Sequence, residues 1–273
     1  MLKERIGTAL VLFILFLAAL FYLSDFQWAL LMLAVISMGA WEWASLIRLK
    51  PVATRVFIAI TIALGAFLLW QYVNPGMFTL PQQLSIWLIA LLTVFWAVMV
   101  PFWLAMRHHL KNQVLMMAVG LLVLLPTWLA LDGLRRASPL LLLAVMMTIW
   151  IADTAAYFAG KKFGRRKLAP AISPGKTWEG VAGAMLGVAA YGVALGIAFD
   201  LSYWLVVGLL ALAVLSIVGD LFESLLKRQA GLKDSSSLLP GHGGVLDRID
   251  GLTSSLPLAF LYFPFYHVML TPA

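Results

Sequence analysis

Cysteine is missing altogether from the 273 residues. That excludes disulfides, thiolate catalysis and Cys-ligated zinc or iron–sulfur centres. Charge is scarce too: Asp, Glu, Lys and Arg make up 11% of the chain, against about 25% in a soluble domain. The weak internal symmetry of inverted-repeat transporters is not found, nor is any low-complexity tract. What remains is apolar, with 63% hydrophobic residues and a mean hydropathy of +0.98. The composition is that of an all-α polytopic membrane protein.

A helix needs roughly 20 apolar residues to cross the hydrocarbon core. Apolar runs at 6–23, 27–47, 55–73, 84–106, 114–131, 139–160, 178–199, 203–222 and 251–270 predict nine transmembrane helices. Breaks fall at Ser24-Asp25, Pro51, Asn74-Pro75-Gly76, 107–112, Asp132-Gly133, 161–177, Asp200 and 227–250. The first run follows Lys3 and Arg5 and exceeds the ~7–15 residues of a signal-peptide core, so it reads as a retained helix. With the N-terminus in the cytoplasm, 17 of the 19 Lys and Arg residues fall inside and only Arg135 and Arg136 outside, a strong positive-inside bias. The same arrangement puts both polar loops, 161–177 and 223–250, on the cytoplasmic face. The net charge of +7 then argues for anionic lipid rather than nucleic acid as the partner. Residues 1–135 (helices 1–5) read as a scaffold for lipid access or oligomer contacts. Residues 136–273 (helices 6–9) carry the catalytic loops.

Few polar groups interrupt the grease, and most crowd into 220–250. Asp220, Glu223, Ser224 and Lys227 lie at i, i+3, i+4 and i+7, one stripe of a helix leaving the membrane. Glu223–Lys227 reads first as a simple ion pair. Asp220, in an apolar context, calls for a metal or a buried cation beside it. Gly241-His242-Gly243-Gly244 frees backbone to approach a phosphate closely. Asp247 and Asp250, at i and i+3, present two carboxylates to a hard cation. Asp220, Asp247 and Asp250 are therefore candidate magnesium ligands, with the intramembrane Asp153 as a further one. Lys227, Arg228, Lys233 and Arg248 offer charge for phosphates.

In the other loop, Lys161-Lys162 and Arg165-Arg166-Lys167 read as an anchor to anionic headgroups. Gly175-Lys176-Thr177 resembles the end of a P-loop, but Pro170 stands where its first glycine belongs. Lys176 still serves as a point charge for phosphate. Gly183/Gly187 and Gly192/Gly196 have the spacing of close helix packing. Glu42, between Trp41 and Trp43, reads as snorkelling or pairing with an arginine.

Taken together, Ser224-Leu-Leu-Lys-Arg228, Lys233-Asp234, His242-Gly-Gly244 and Asp247-Arg-Ile-Asp250 resemble the signature of the phosphatidate cytidylyltransferases (CDP-diacylglycerol synthases). Ser173-Pro-Gly-Lys-Thr-Trp-Glu179 and Asp153 are also similar to bacterial members. The resemblance covers most of the C-terminal half. It implies transfer of CMP from CTP to phosphatidate, with pyrophosphate released, in the bacterial inner membrane with the site facing the cytoplasm. It implies Mg²⁺ as cofactor and leaves a second cation and a homodimer open. Asp220, Lys227, Arg228, Asp247 and Asp250 would be catalytic. Ser173, Lys176, Ser224, Lys233, Asp234, His242, Gly243, Gly244 and Arg248 would bind substrate. The alternatives are a CTP-dependent polyprenol kinase and a cation-coupled transporter.

Overall fold

The computed structural model describes residues 2–73, 82–239, 241 and 243–270. Helices dominate: α1 (Leu2–Tyr22), α2 (Asp25–Leu46), α3 (Pro51–Val73), α4 (Gln82–Val94), α5 (Val100–Met106), α6 (Gln113–Ala137), α7 (Pro139–Phe163), α8 (Trp178–Phe199), α9 (Trp204–Ala230) and α10 (Leu246–Leu270). Among the described residues, seven helical stretches are long and apolar enough to cross a membrane, and 10–22 adds a shorter one. A polytopic all-α membrane protein is what the composition requires.

Several boundaries differ from the apolar runs, each for a local reason. Asp132-Gly133 does not end a helix, because Arg136 bonds back to Asp132 at 2.7 Å and carries α6 to Ala137. Ser138 then stops α6 and caps α7 by accepting the Leu141 N–H. The helix holding Asp220 does not end near residue 222 but runs to Ala230, where Gly231 closes it at φ +74°. Residues 161–177 contain a small antiparallel hairpin, β1 (Lys167–Ala169) with β2 (Ser173–Thr177). Thr177 ends β2 and begins α8, its Oγ1 accepting the Gly180 N–H at 3.1 Å.

The run at 84–106 is broken by a π-turn at Phe95–Met99 between α4 and α5. Pro101 has no N–H for the fourth carbonyl back, and the ladder slips to Val100 N–H with Phe95 O. The bulge delivers Phe95 and Trp96 to Phe222 of α9, with ring centroids 6.4 and 5.5 Å away. Trp43 and Trp103 complete an aromatic box at 6.4 and 5.2 Å. The Phe95, Trp96 and Trp103 pairs are edge-to-face, a geometry that holds its partners in fixed orientation. Here they fix the turn of α9 that presents Asp220, Glu223 and Lys227.

Helices α7 and α8 pack along their length, as do α9 and α10. A Cβ added at Gly183 would collide with Ala159 Cβ, and one at Gly187 would lie 2.9 Å from Ala155 Cβ. The small-residue spacing is thus used as expected. Gly183→Val should cost about 1–3 kcal/mol by overpacking this seam. The check is the thermal midpoint in detergent, and an unchanged midpoint would show that the two helices are not held this closely. Between α9 and α10 the glue is polar. Ser254 and Ser255 hydroxyls donate to Leu215 O (2.7 Å) and Leu212 O (2.9 Å), and a Cβ at Gly219 would meet Asp250 O at 2.5 Å. That contact seats Asp250 beside Asp220.

Candidate active site

The polar residues of α7, β2, α9 and α10 meet at one end of the bundle. A cavity of about 460 Å³ opens there, lined by Asp153, Lys161, Ser173, Lys176, Thr177 and Asp220 among others. Lys176 enters from the last turn of the hairpin, pinned by the Thr177 cap. Its Nζ lies 2.5 Å from Asp220 Oδ2, while Asp220 Oδ1 accepts the Ser224 hydroxyl at 3.3 Å. Asp153 is within electrostatic reach of Asp220, Lys176 and Arg248.

Deeper between α9 and α10 lies a second set of charges. Lys227 Nζ donates to Glu223 Oε2 at 3.1 Å and to Asp247 Oδ1 at 2.5 Å. Glu223 and Asp247 are 7% and 6% exposed, so this ammonium neutralises two buried carboxylates. The Glu223–Lys227 pair exists as expected, but it is one limb of a shared bridge. Asp250 neighbours both Glu223 and Asp220 and therefore joins the two sets. Its Oδ1 accepts the Gly251 N–H at 2.7 Å. Glu223 Oε1 is buried, and the Asp250 carboxyl lies within hydrogen-bonding reach of Glu223. The sequence of charges is Lys176, Asp220, Asp250, Glu223, Lys227, Asp247.

Asp247 has a full set of partners. Besides Lys227, its Oδ2 accepts the backbone N–H of Ser235 (2.9 Å) and of Gly244 (2.8 Å), and lies 2.9 Å from the Ser235 hydroxyl. Gly243, at φ +80°, has no room for a side chain, since a Cβ would stand 2.6 Å from Asp247 Oδ2. Among the described residues no three of His, Asp and Glu are drawn into a ready-made metal cage.

Other expected site residues are placed differently. Arg228 is tied to backbone, with Nε to Ile172 O and Nη1 to Leu232 O, both at 3.4 Å. It joins the hairpin connection to the end of α9. Lys233 and Asp234 are exposed on the loop, and Arg248 is exposed at the start of α10. His242 lies outside the described residues. Lys161, assigned from sequence to a lipid anchor, also lines the cavity and sits over the Tyr157 ring at 5.7 Å.

Glu42 overturns its expected role. It is fully buried rather than snorkelling, and among the described residues no arginine pairs with it. It accepts instead from Val245 N–H (2.9 Å), Leu246 N–H (2.7 Å) and the Ser236 hydroxyl (2.6 Å), with the Ser235 hydroxyl at 3.0 Å. Only an apolar setting marked this carboxylate in the sequence, and partners some 200 residues away leave no local signal.

A model of the Cytidylyltransferase family matches residues 3–266. The chain is 44% identical to the phosphatidate cytidylyltransferase of Pseudomonas aeruginosa over 94% of its own length and 95% of that protein's. It is 38% identical to the Haemophilus influenzae protein of the same name (97% and 99% covered) and 31% identical to that of Bacillus subtilis (96% and 97%).

Proposed function

The chain belongs to the cytidylyltransferase family, and we propose that the charges described above are where it joins CTP to phosphatidate. The reaction is CTP plus phosphatidate giving CDP-diacylglycerol and pyrophosphate. A phosphatidate oxygen forms the new bond to the α-phosphorus of CTP, and the bond to the β-phosphate bridging oxygen breaks. No covalent intermediate on the protein is needed. Positioning and charge neutralisation carry the rate.

The observation behind this assignment is the line of charges from Lys176 to Asp247 beside the cavity, with three carboxylates between two lysines. Lys176 and Lys161 face the cavity and would hold phosphate oxygens, Lys176 exchanging Asp220 for substrate. Lys227 keeps Asp247 and Glu223 in place at the inner wall. Ser173 would supply a hydroxyl at the cavity wall, Ser224 steadies Asp220, and Arg228 ties the two loops together. Gly243 and Gly244 let Asp247, Ser235 and Glu42 pack closely against the segment before α10, and Arg248, Lys233 and Asp234 would stand at the mouth.

Magnesium takes one or two carboxylates plus waters and substrate phosphates, so a cage built only of protein is not required. Asp220 and Asp250, with Glu223 beside them, are a crowded carboxylate set that fits such an ion. Asp153 is the next carboxylate within reach. Bound there, the ion would neutralise charge on the transferring phosphate. Asp247, with both oxygens engaged, would instead organise the loop. We further place the chain in the bacterial inner membrane with nine crossings, a cytoplasmic N-terminus and the site at the cytoplasmic face. The concentration of basic residues at that end supports this.

The test is labelled CTP with phosphatidate in detergent. Label in CDP-diacylglycerol with release of pyrophosphate, abolished by EDTA and restored by Mg²⁺, is the expected result. Phosphorylated lipid with CDP would instead mark a CTP-dependent kinase, and EDTA-resistant turnover would remove the cation.

A further inference from the structure

We propose that Glu42, far outside the polar loops, is a positioning residue for this reaction, closing the N-terminus of α10 from another helix and so fixing Asp247 and Lys227. The inference rests on the cytidylyl-transfer reading above.

Helix α10 begins at Leu246. The amides at its start go to Glu42, and two amides of the loop before it go to Asp247. Glu42 accepts the N–H groups of Val245 and Leu246, and Asp247 accepts those of Ser235 and Gly244. A negative charge at a helix N-terminus is favoured by the helix dipole and by the unpaired amides. That explains how Glu42 can be fully buried with no cation beside it among the described residues. Four donors for two oxygens is close to what a carboxylate can accept.

Glu42 projects from a rigid frame. Next to it, Trp43 Nε1 donates to Met116 O at 2.9 Å, tying α2 to α6. Just beyond, Gln113 Nε2 donates to Arg48 O (2.9 Å) and Arg48 Nη2 to Ala230 O (2.8 Å), which links this end of α2 to the end of α9. Ser235, Ser236, Gly244 and Val245 are thus held by Glu42 of α2 and Asp247 of α10. Gly244 permits the approach, since a Cβ there would strike both Glu42 Oε1 and Ser235 Oγ.

Ser235 couples the two carboxylates. Its hydroxyl lies 3.0 Å from Glu42 Oε2 and 2.9 Å from Asp247 Oδ2, and it has one proton to donate. The chain Glu42–Ser235–Asp247–Lys227 therefore runs from a scaffold helix to the inner wall of the site without a gap.

Glu42→Gln tests this. The substitution keeps the shape but turns an NH₂ toward one of two N–H donors. The expected result in purified enzyme is a fall in kcat of roughly 10–100-fold, with KM for CTP changing far less. Amide exchange should rise at residues 235–246 while α7 and α8 stay protected. Ser235→Ala is the milder second variant, leaving both backbone bonds of Glu42. It should lower kcat less, with the same local exchange pattern, and adding it to Glu42→Gln should cost little more. Wild-type kcat in folded Glu42→Gln, or in Ser235→Ala should the first variant not fold, would overturn the proposal. So would exchange that rises evenly over all helices, the mark of a purely structural role. Parent enzyme assayed in parallel separates these outcomes from failure of the cytidylyl-transfer reading, which would show as no CDP-diacylglycerol from the parent itself.

Discussion

Asp250→Asn should reduce CDP-diacylglycerol formation by at least about 10²–10³-fold, the scale of losing one preorganised electrostatic contact to a transition state. The protein should still insert and purify. Asp250 neighbours Asp220 and Glu223, and replacing one of three crowded carboxylates by a neutral amide relieves repulsion rather than creating it. Stability should therefore hold or rise while turnover is lost. The measurement is initial rate at saturating Mg²⁺, set against the thermal midpoint in detergent. Near-normal turnover would remove Asp250 from any role with a cation.

Lys227→Met should fail differently, losing both fold and activity. Its ammonium is the shared partner of Glu223 and Asp247, which are almost fully buried. Removing one partner of a buried pair typically costs about 3–5 kcal/mol, because the other charge stays unpaired. Here two would be left. Folded yield and thermal midpoint should drop sharply. Adding Glu223→Gln removes one of the stranded charges and should recover much of the fold, yet turnover should stay low because Asp247 remains without its counter-ion. Stability is read by size-exclusion profile and melting in the same detergent, and turnover by lipid-soluble label. A stable, active Lys227→Met would show that the bridge is ornamental.

Much of this site was legible because its chemistry is compressed. Asp220, Glu223, Ser224 and Lys227 share a helical stripe, and helical periodicity alone puts them on one face. The close approach of α7 and α8 followed from Gly183 and Gly187. Less legible was which partner each charge would choose. Lys176 meets Asp220 across 44 positions, and Lys227 reaches Asp247 past a loop, so spacing carries no record of either pairing. Asp247 reads in the sequence as a candidate metal ligand beside Asp250, and nothing in the spacing shows the backbone amides and the lysine that lie against its oxygens. Glu42 was misread for the same reason at longer range. The π-turn before Pro101 also escaped, since an apolar run gives no sign of where a hydrogen-bond ladder slips.

The far end of the bundle has its own clasp. Arg135 donates to Asp25 at 2.7 Å and to the Leu20 and Leu23 carbonyls, its guanidinium over Trp28, while Arg136 is matched by Asp132. With Asp200 counted, that end carries one net negative charge, and the whole positive surplus of the chain sits at the other end. Moving one charge through a potential of 100 mV is worth about 2.3 kcal/mol. An object so lopsided behaves as a macroscopic electric arrow. In a bilayer whose potential is negative on the side of these loops, the field would favour this orientation over its reverse.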